Sequence, residues 1–295
     1  MNVSDVATQY KRYALHECGM RPKSYRSIMA SLKMLSESAG TEEITQLNQA
    51  TVKAFLYWGR EDRAWEARTF RNHWQYLHSF FAWCVNEQFI KVNPVDGIEK
   101  PKLPHRLPRC LSREDVQTVL NRIRWYPWRY HFEAIRNEAM IYFLVFTGLR
   151  LQELLDLEVV DLNISSQEVL VRQGKGQKDR MVPIHPRLLP ILRNYLSERK
   201  SRQNFGRHLF TGVQSEKPLS GKNIRIICKK LSRDTNIYFT PHMLRHTFGR
   251  LLVEADVDIF KIKELMGHSA VTTTQGYLSV STENLKRSFS DADLL

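Results

Sequence analysis

Thr147-Gly148-Leu149-Arg150-Leu151-Gln152-Glu153-Leu154-Leu155 stands near the middle of the chain. The apolar run Ala139–Phe146 before it suits a buried helix, and Gly148 punctuates that helix. Beyond the glycine, Leu151, Leu154 and Leu155 resume helical spacing. Arg150 therefore falls on the turn between two helical segments, where a charged side chain needs a reason. Glu153, three residues on, is placed to hold its guanidinium. A solvated arginine is the ordinary reading of such a residue, and the rest of the chain has to decide between the two.

Downstream, Val169 and Val171, then Val182 and Ile184, alternate around Gly174-Lys175-Gly176 and predict a β-hairpin with lysine at or near its tip. Helical spacing returns beyond Pro186, and Thr240-Pro241 predicts a further helix start. Upstream, Ser112-Arg113-Glu114-Asp115 predicts a helix cap. Residues 91–110 contain Pro94, Pro101, Pro104 and Pro108 together with Lys91, Lys100, Lys102, Arg106 and Arg109, which predicts an extended basic linker. Before it, Val6, Tyr10 and Tyr13, then Tyr25, Ile28, Leu32 and Leu35, then Val52, Phe55 and Leu56, then Phe70, Trp74, Leu77 and Phe81 recur at three- and four-residue intervals. Four helices and no strand follow from that spacing. The expectation is a mainly α protein with a small β-sheet, divided into a helical domain over 1–90, a linker over 91–110 and a larger α/β domain over 111–295.

At 295 residues the chain is long enough for two such domains. Its formal charge of +13 favours a polyanionic partner, nucleic acid or an anionic membrane surface. The excess is +2 over residues 1–90, +3 over 91–110 and +8 over 111–295, so it is densest in the linker. No apolar run approaches the roughly 20 residues that span a bilayer, and Met1-Asn2-Val3-Ser4-Asp5 does not open a secretory signal, so a cytoplasmic protein is expected. Cys18, Cys84, Cys110 and Cys228 are scattered with no C-x-x-C pair, which argues against a disulfide framework or a zinc knuckle. Gly174-Lys175-Gly176 lacks the rest of a phosphate loop, so nucleotide hydrolysis is not expected. His242 and His246 have the spacing of a zinc pair, but Met243 stands where that pattern needs its glutamate. No metal or cofactor is predicted.

Two C-terminal stretches complete the set: His242-Met243-Leu244-Arg245-His246-Thr247-Phe248, and Leu265-Met266-Gly267-His268-Ser269 running on through Thr272-Thr273 to Tyr277. With the Arg150 stretch and the Gly174–Pro183 hairpin, they make a chain that resembles the tyrosine recombinases, the family of phage and integron integrases and Xer recombinases. The match covers most of residues 110–290; over the first domain the similarity is one of size and helical pattern. The resemblance implies a helical core-binding domain followed by a catalytic domain, and a site-specific recombinase that cuts and rejoins DNA without metal or ATP. It implies that Arg150 and Arg245 grip one phosphate, that Lys175 protonates the leaving 5′ oxygen, and that His242 and His268 bond the phosphate or handle the nucleophile's proton. Tyr277 would attack phosphorus to give a 3′-phosphotyrosyl link, and Glu153 would orient its neighbours. Chemistry fits those roles, because phosphoryl transfer is catalysed mainly by positioning and charge stabilisation, which two guanidiniums can provide.

For DNA contact, Lys222, Arg225 and Lys229, with Lys230, recur at helical spacing after Ser220-Gly221; such a helix suits a major groove, and a solvated basic face accounts for it equally well. Lys178 and Arg180 in the hairpin, Arg106 in the linker, and Lys23, Arg26, Arg68 and Arg71 in the first domain complete the candidate DNA-binding set. Two domains joined by a basic linker suggest a clamp around double-stranded DNA with a specific core site. Leu285, Phe289, Leu294 and Leu295 form a short tail; in this family such tails commonly dock on a neighbouring protomer, which implies dimers on DNA and a synaptic tetramer. Two other readings remain: a type IB topoisomerase, which shares the Arg, Lys, His and Tyr chemistry, and a catalytically silent DNA-binding regulator.

Overall fold

In the computed structural model the described residues are 1–104, 108–172, 179–203 and 205–267. The chain divides into two compact units, Met1–His105 and Arg106–Leu295. None of the described helices is long and apolar enough to cross a membrane.

The first unit is built on the four helices that the spacing predicts, α1 (Val3–Arg12), α2 (Pro22–Ala39), α3 (Gln49–Glu61) and α4 (Ala67–Asn86). Short polar side chains start two of them: Asn2 accepts from the Ser4 amide at 2.8 Å, and Asn48 from the Thr51 amide at 3.1 Å. Pro22 opens α2 and Gly40, left-handed at φ 63°, ends it. Val6, Tyr10, Leu32, Leu35, Phe55, Leu77, Phe80 and Phe81 form the core. The expected linker starts later than its prolines suggest. Val95 and Ile98 are buried in this same core, Trp74 Nε1 donates to the Ile98 carbonyl at 2.8 Å, and the Lys100 ammonium sits 3.6 Å from the Trp74 ring centroid. Apolar side chains between the prolines thus pin residues 93–100 to the first unit, and the division falls at the far end of the predicted connector.

The second unit opens with α5 (Arg113–Trp125), capped reciprocally by Ser112 and Asp115 as the sequence predicts. At its centre lies α6 (His131–Thr147), buried nearly all round and packed by α5, by α8 (Leu189–Ser201) and by α10 (Pro241–Glu254). A short α7 (Leu151–Asp156) follows Gly148 and leads into a three-stranded antiparallel sheet of β1 (Leu162–Asn163), β2 (Glu168–Val171) and β3 (Arg180–Pro183). The predicted hairpin strands pair in the register Val169 to Val182 and Val171 to Arg180, with the three valines buried. β1, only two residues long, has no alternation for sequence to reveal. The remaining helices are α9 (Gly221–Thr235) and α11 (Ile259–Met266), and Thr240 caps α10 by accepting from the Met243 amide at 3.2 Å.

Gly148 ends α6 at φ 60°, and a methyl on it would overlap the Phe248 ring of α10. Gly40 has the same backbone hand but open space around it. Denaturant unfolding of the two alanine variants is therefore expected to separate strain from clash. Gly40→Ala should cost about 1 kcal/mol for the left-handed backbone, and Gly148→Ala about 2 to 4 kcal/mol once overpacking is added. Equal costs at the two positions would contradict the close packing of Phe248.

Candidate active site

Arg150 leaves the Gly148 turn with extended backbone, and the first bond it makes is to its own helix. Its amide donates to Glu153 Oε2 at 2.8 Å and its Nη1 to Glu153 Oε1 at 2.6 Å, the pairing that the three-residue spacing predicts. Nη2 reaches across to the Gly267 carbonyl at 2.7 Å. The side chain keeps 39% of its surface exposed, whereas Glu153 keeps 10%.

Arg245, on the buried side of α10, is 3% exposed and donates to the carbonyls of Gly148 and Met266, both at 2.6 Å. Its Nη1 lies 4.0 Å from Glu153 Oε2. Sequence grouped Arg180 with the DNA-contacting cations, and the structure places it elsewhere. The side chain is 8% exposed, forks onto Glu153 at 3.1 and 2.8 Å, and donates from Nε to the Leu265 carbonyl at 3.0 Å. The reason is register: opposite Val171, the first residue of β3 points into the protein beside α7 and α11.

Three guanidiniums thus surround one carboxylate and take the last carbonyls of α11, Leu265, Met266 and Gly267. Those carbonyls are the orphan acceptors of a helix end, where the dipole favours cations. Gly267, left-handed at φ 62°, ends that helix as its sequence position predicts. Burial works against ionisation of Glu153, yet hydrogen bonds from Arg180 and the Arg150 backbone outweigh it and hold the carboxyl below the usual carboxylate value.

His242 is the second residue of α10, next to that cluster, and its ring meets the His246 ring one turn on, edge to face at 4.2 Å. Loss of solvation, then Arg245 and Arg150, lower the His242 pKa below 6.5. Burial, then His242 and Arg245, push His246 down to about 4. Both shifts favour the neutral ring.

A cavity of about 850 Å³ opens on these groups, with Arg150, His242 and Arg245 in one wall and Arg225, Lys229 and Arg233 of α9 in another. Of the predicted site residues, Arg150, Glu153, His242 and Arg245 come together, and Arg225 and Lys229 share the cavity with them. Lys222 is exposed at the start of α9 and is not part of the wall. Lys23 and Arg26 lie on the first turns of α2 and Arg68 and Arg71 on those of α4, all in the first unit. Lys175, Lys178, His268, Tyr277 and Arg106 lie outside the described residues. Sequence reasoning missed Arg233, although it continues the Arg225–Lys229 spacing by one more turn, and Tyr238, which stands 66% exposed at the cavity. Among the described residues, no three His, Cys, Asp or Glu side chains gather as a metal site.

Residues 110–284 match the Phage integrase family. The tyrosine recombinase XerA of Pyrococcus furiosus is 36% identical over 202 residues, which span 68% of this chain and 67% of that protein. XerA of Thermococcus onnurineus is 31% identical over 297 residues, 99% of this chain and 97% of that one. In three dimensions the chain is similar to the XerH site-specific recombinase, in its post-cleavage complex with a palindromic difH substrate. The TM-score is 0.77 at 20% identity, over 96% of this chain and 84% of that chain. A family match over more than half of the sequence, and relatives alike along nearly its whole length, show that this chain belongs to the phage integrase family of tyrosine recombinases.

Proposed function

We propose that this protein is a site-specific DNA recombinase that cleaves and rejoins strands through a 3′-phosphotyrosyl intermediate formed at Tyr277. The observation that carries the reading is the cavity in which Arg150, Arg245 and a neutral His242 face a helix bearing Arg225, Lys229 and Arg233. A phosphodiester is the ligand that such a surface fits: guanidiniums bind its non-bridging oxygens and the flanking cations follow the backbone on either side. The XerH complex, a protein of the same fold holding a cleaved DNA substrate, supports the same partner.

In the proposed reaction the Tyr277 oxygen attacks phosphorus, the bond to the 5′ oxygen breaks, and Lys175 delivers a proton to that oxygen. The phenolic proton passes to a neutral imidazole, His242 or His268. Arg150 and Arg245 balance the charge that accumulates on the phosphoryl oxygens, the role in which other phosphoryl-transfer enzymes use divalent ions. The tyrosyl ester preserves the energy of the broken bond, so a 5′ hydroxyl from a second duplex rejoins the strand by the reverse step. Exchange between two sites needs more than one protomer, and self-association on DNA as a dimer and then a synaptic tetramer is part of the reading.

Three results are expected. On a nicked duplex built from the sequence that the wild-type protein enriches out of a random pool, a covalent protein–DNA adduct forms in the presence of EDTA and is lost in Tyr277→Phe. An intact Tyr277→Phe adduct, or none from wild type, would exclude the reaction, and relaxation of supercoils without exchange between two such sites would favour a topoisomerase. Where His242 is the acceptor it must be neutral, so adduct formation at subsaturating duplex should have its acid inflection below 6.5. An inflection above that value contradicts the role. Arg225→Ala and Lys229→Ala should each weaken duplex binding and reduce the slope of log affinity against log salt by about 1, which a titration over a salt series reads directly.

A further inference from the structure

We propose that Arg180 is a positioning residue for strand cleavage: through Glu153 it sets the guanidinium of Arg150, and through the Leu265 carbonyl it fixes the point where the chain leaves α11 toward Tyr277. The proposal rests on the reading of Arg150 and Arg245 as the phosphate-binding pair. Its basis is the accounting of donors around Glu153. Oε1 accepts from Arg150 Nη1 at 2.6 Å and Arg180 Nη1 at 3.1 Å; Oε2 accepts from the Arg150 amide and Arg180 Nη2, both at 2.8 Å. Each oxygen therefore has one bond from each arginine.

Taking Arg180 away leaves a carboxylate that is 10% exposed with half of its donors, and such a group turns toward the nearest cation. Besides Arg150, already bonded to it, the cation within reach is Arg245, whose Nη1 is 4.0 Å from Oε2. Two changes follow. Glu153 moves off the geometry that orients Arg150. At the same time the Leu265 carbonyl loses its bond from Nε, 3.0 Å long in the intact protein. The end of α11, from which the sequence runs on to His268 and Tyr277, then loses one of its bonds.

Arg180 also sits at the base of the hairpin, paired with Val171 across the strands, five residues beyond Lys175. The same side chain thus ties the hairpin to α7 and to the end of α11. Lysine cannot reproduce this, because one ammonium cannot fork onto a carboxylate and reach a carbonyl on the opposite side. Enclosure decides against a direct DNA role: at 8% exposure the guanidinium has little surface for a phosphate.

The test compares full-length Arg180→Met, Arg180→Lys, Glu153→Gln and the Arg180→Met/Glu153→Gln double variant on the same enriched nicked duplex, with thermal melting as the folding control. Affinity and its salt slope should match wild type in both Arg180 variants. The single-turnover rate of adduct formation at saturating duplex should fall by about 100-fold in Arg180→Met, the scale of an ångström-sized misplacement of a reacting group, and by less in Arg180→Lys. The double variant should be no slower than the slower single one. Weakened binding with a normal rate at saturation would make Arg180 a DNA contact and overturn the proposal. Unchanged rates, losses that multiply with Glu153→Gln, or an Arg180→Lys protein that no longer folds would overturn it as well. If wild type itself forms no adduct, the recombinase reading fails before any variant is compared.

Discussion

A carboxylate buried to one-tenth exposure stays ionised only if the protein supplies the donors that water would have supplied, and Glu153 receives four from two arginines. The arrangement of the surrounding arginines follows from that requirement. Arg150 must stand at the start of α7, where both its amide and its side chain reach the same carboxylate. Arg180 must enter from β3, which fixes the sheet against α7 and α11. With Arg245 beside them the guanidiniums outnumber the carboxylate, and the carbonyls at the end of α11 take up part of the excess. An ion pair on the surface would contribute little to such an arrangement; inside the protein, imperfect geometry is costly, and that cost specifies position.

Burial first, and then the same cations, lower the pKa of the imidazoles. His242 lies against Arg245 and Arg150 in a partly desolvated wall, and both influences favour the neutral ring. His246, deeper and beside His242, is lowered further, to about 4. In the proposed reaction, burial and the phosphate-binding cations thus act in the same direction, toward a neutral ring able to accept a proton. The α9 wall extends the positive surface beyond the reacting atom, which suits a polymer of phosphates better than a small phosphate ester.

Much of this could be read before any coordinates because the informative residues act locally. Arg150 and Glu153 are one helical step apart; Gly148, Thr240 and Gly267 mark helix ends by their own conformational preferences; and the apolar run in α6 is buried as such runs must be. What escaped depends on which element packs against which. Arginines are read from sequence as solvated, yet Arg180 is enclosed. Arg199 and Arg136 lie buried with bonds to the carbonyls of Gly206, Leu209 and Thr211, which they hold in the segment between α8 and α9. Prolines signalled a connector over 91–110, but Val95 and Ile98 bury themselves against α4, a preference that no local rule reveals. Likewise nothing in the periodicity of α9 says that Arg233 and Lys230 part company, the first into the cavity and the second toward the Trp128 ring.

Gly148 shows why the fold and the chemistry cannot be separated here. Arg150 and Arg245 are 95 positions apart, and both are placed by this one residue: Arg150 follows its left-handed turn, and Arg245 donates to its carbonyl. That carbonyl is accessible to α10 only because the two helices approach closely, and they do so because Phe248, three residues after Arg245, packs where a side chain on residue 148 would have been. The missing Cβ therefore does more than permit a positive φ. It sets the separation of α6 and α10, and with it the distance between the two guanidiniums proposed to bind the phosphate, so a residue with no functional group of its own fixes the geometry of the site.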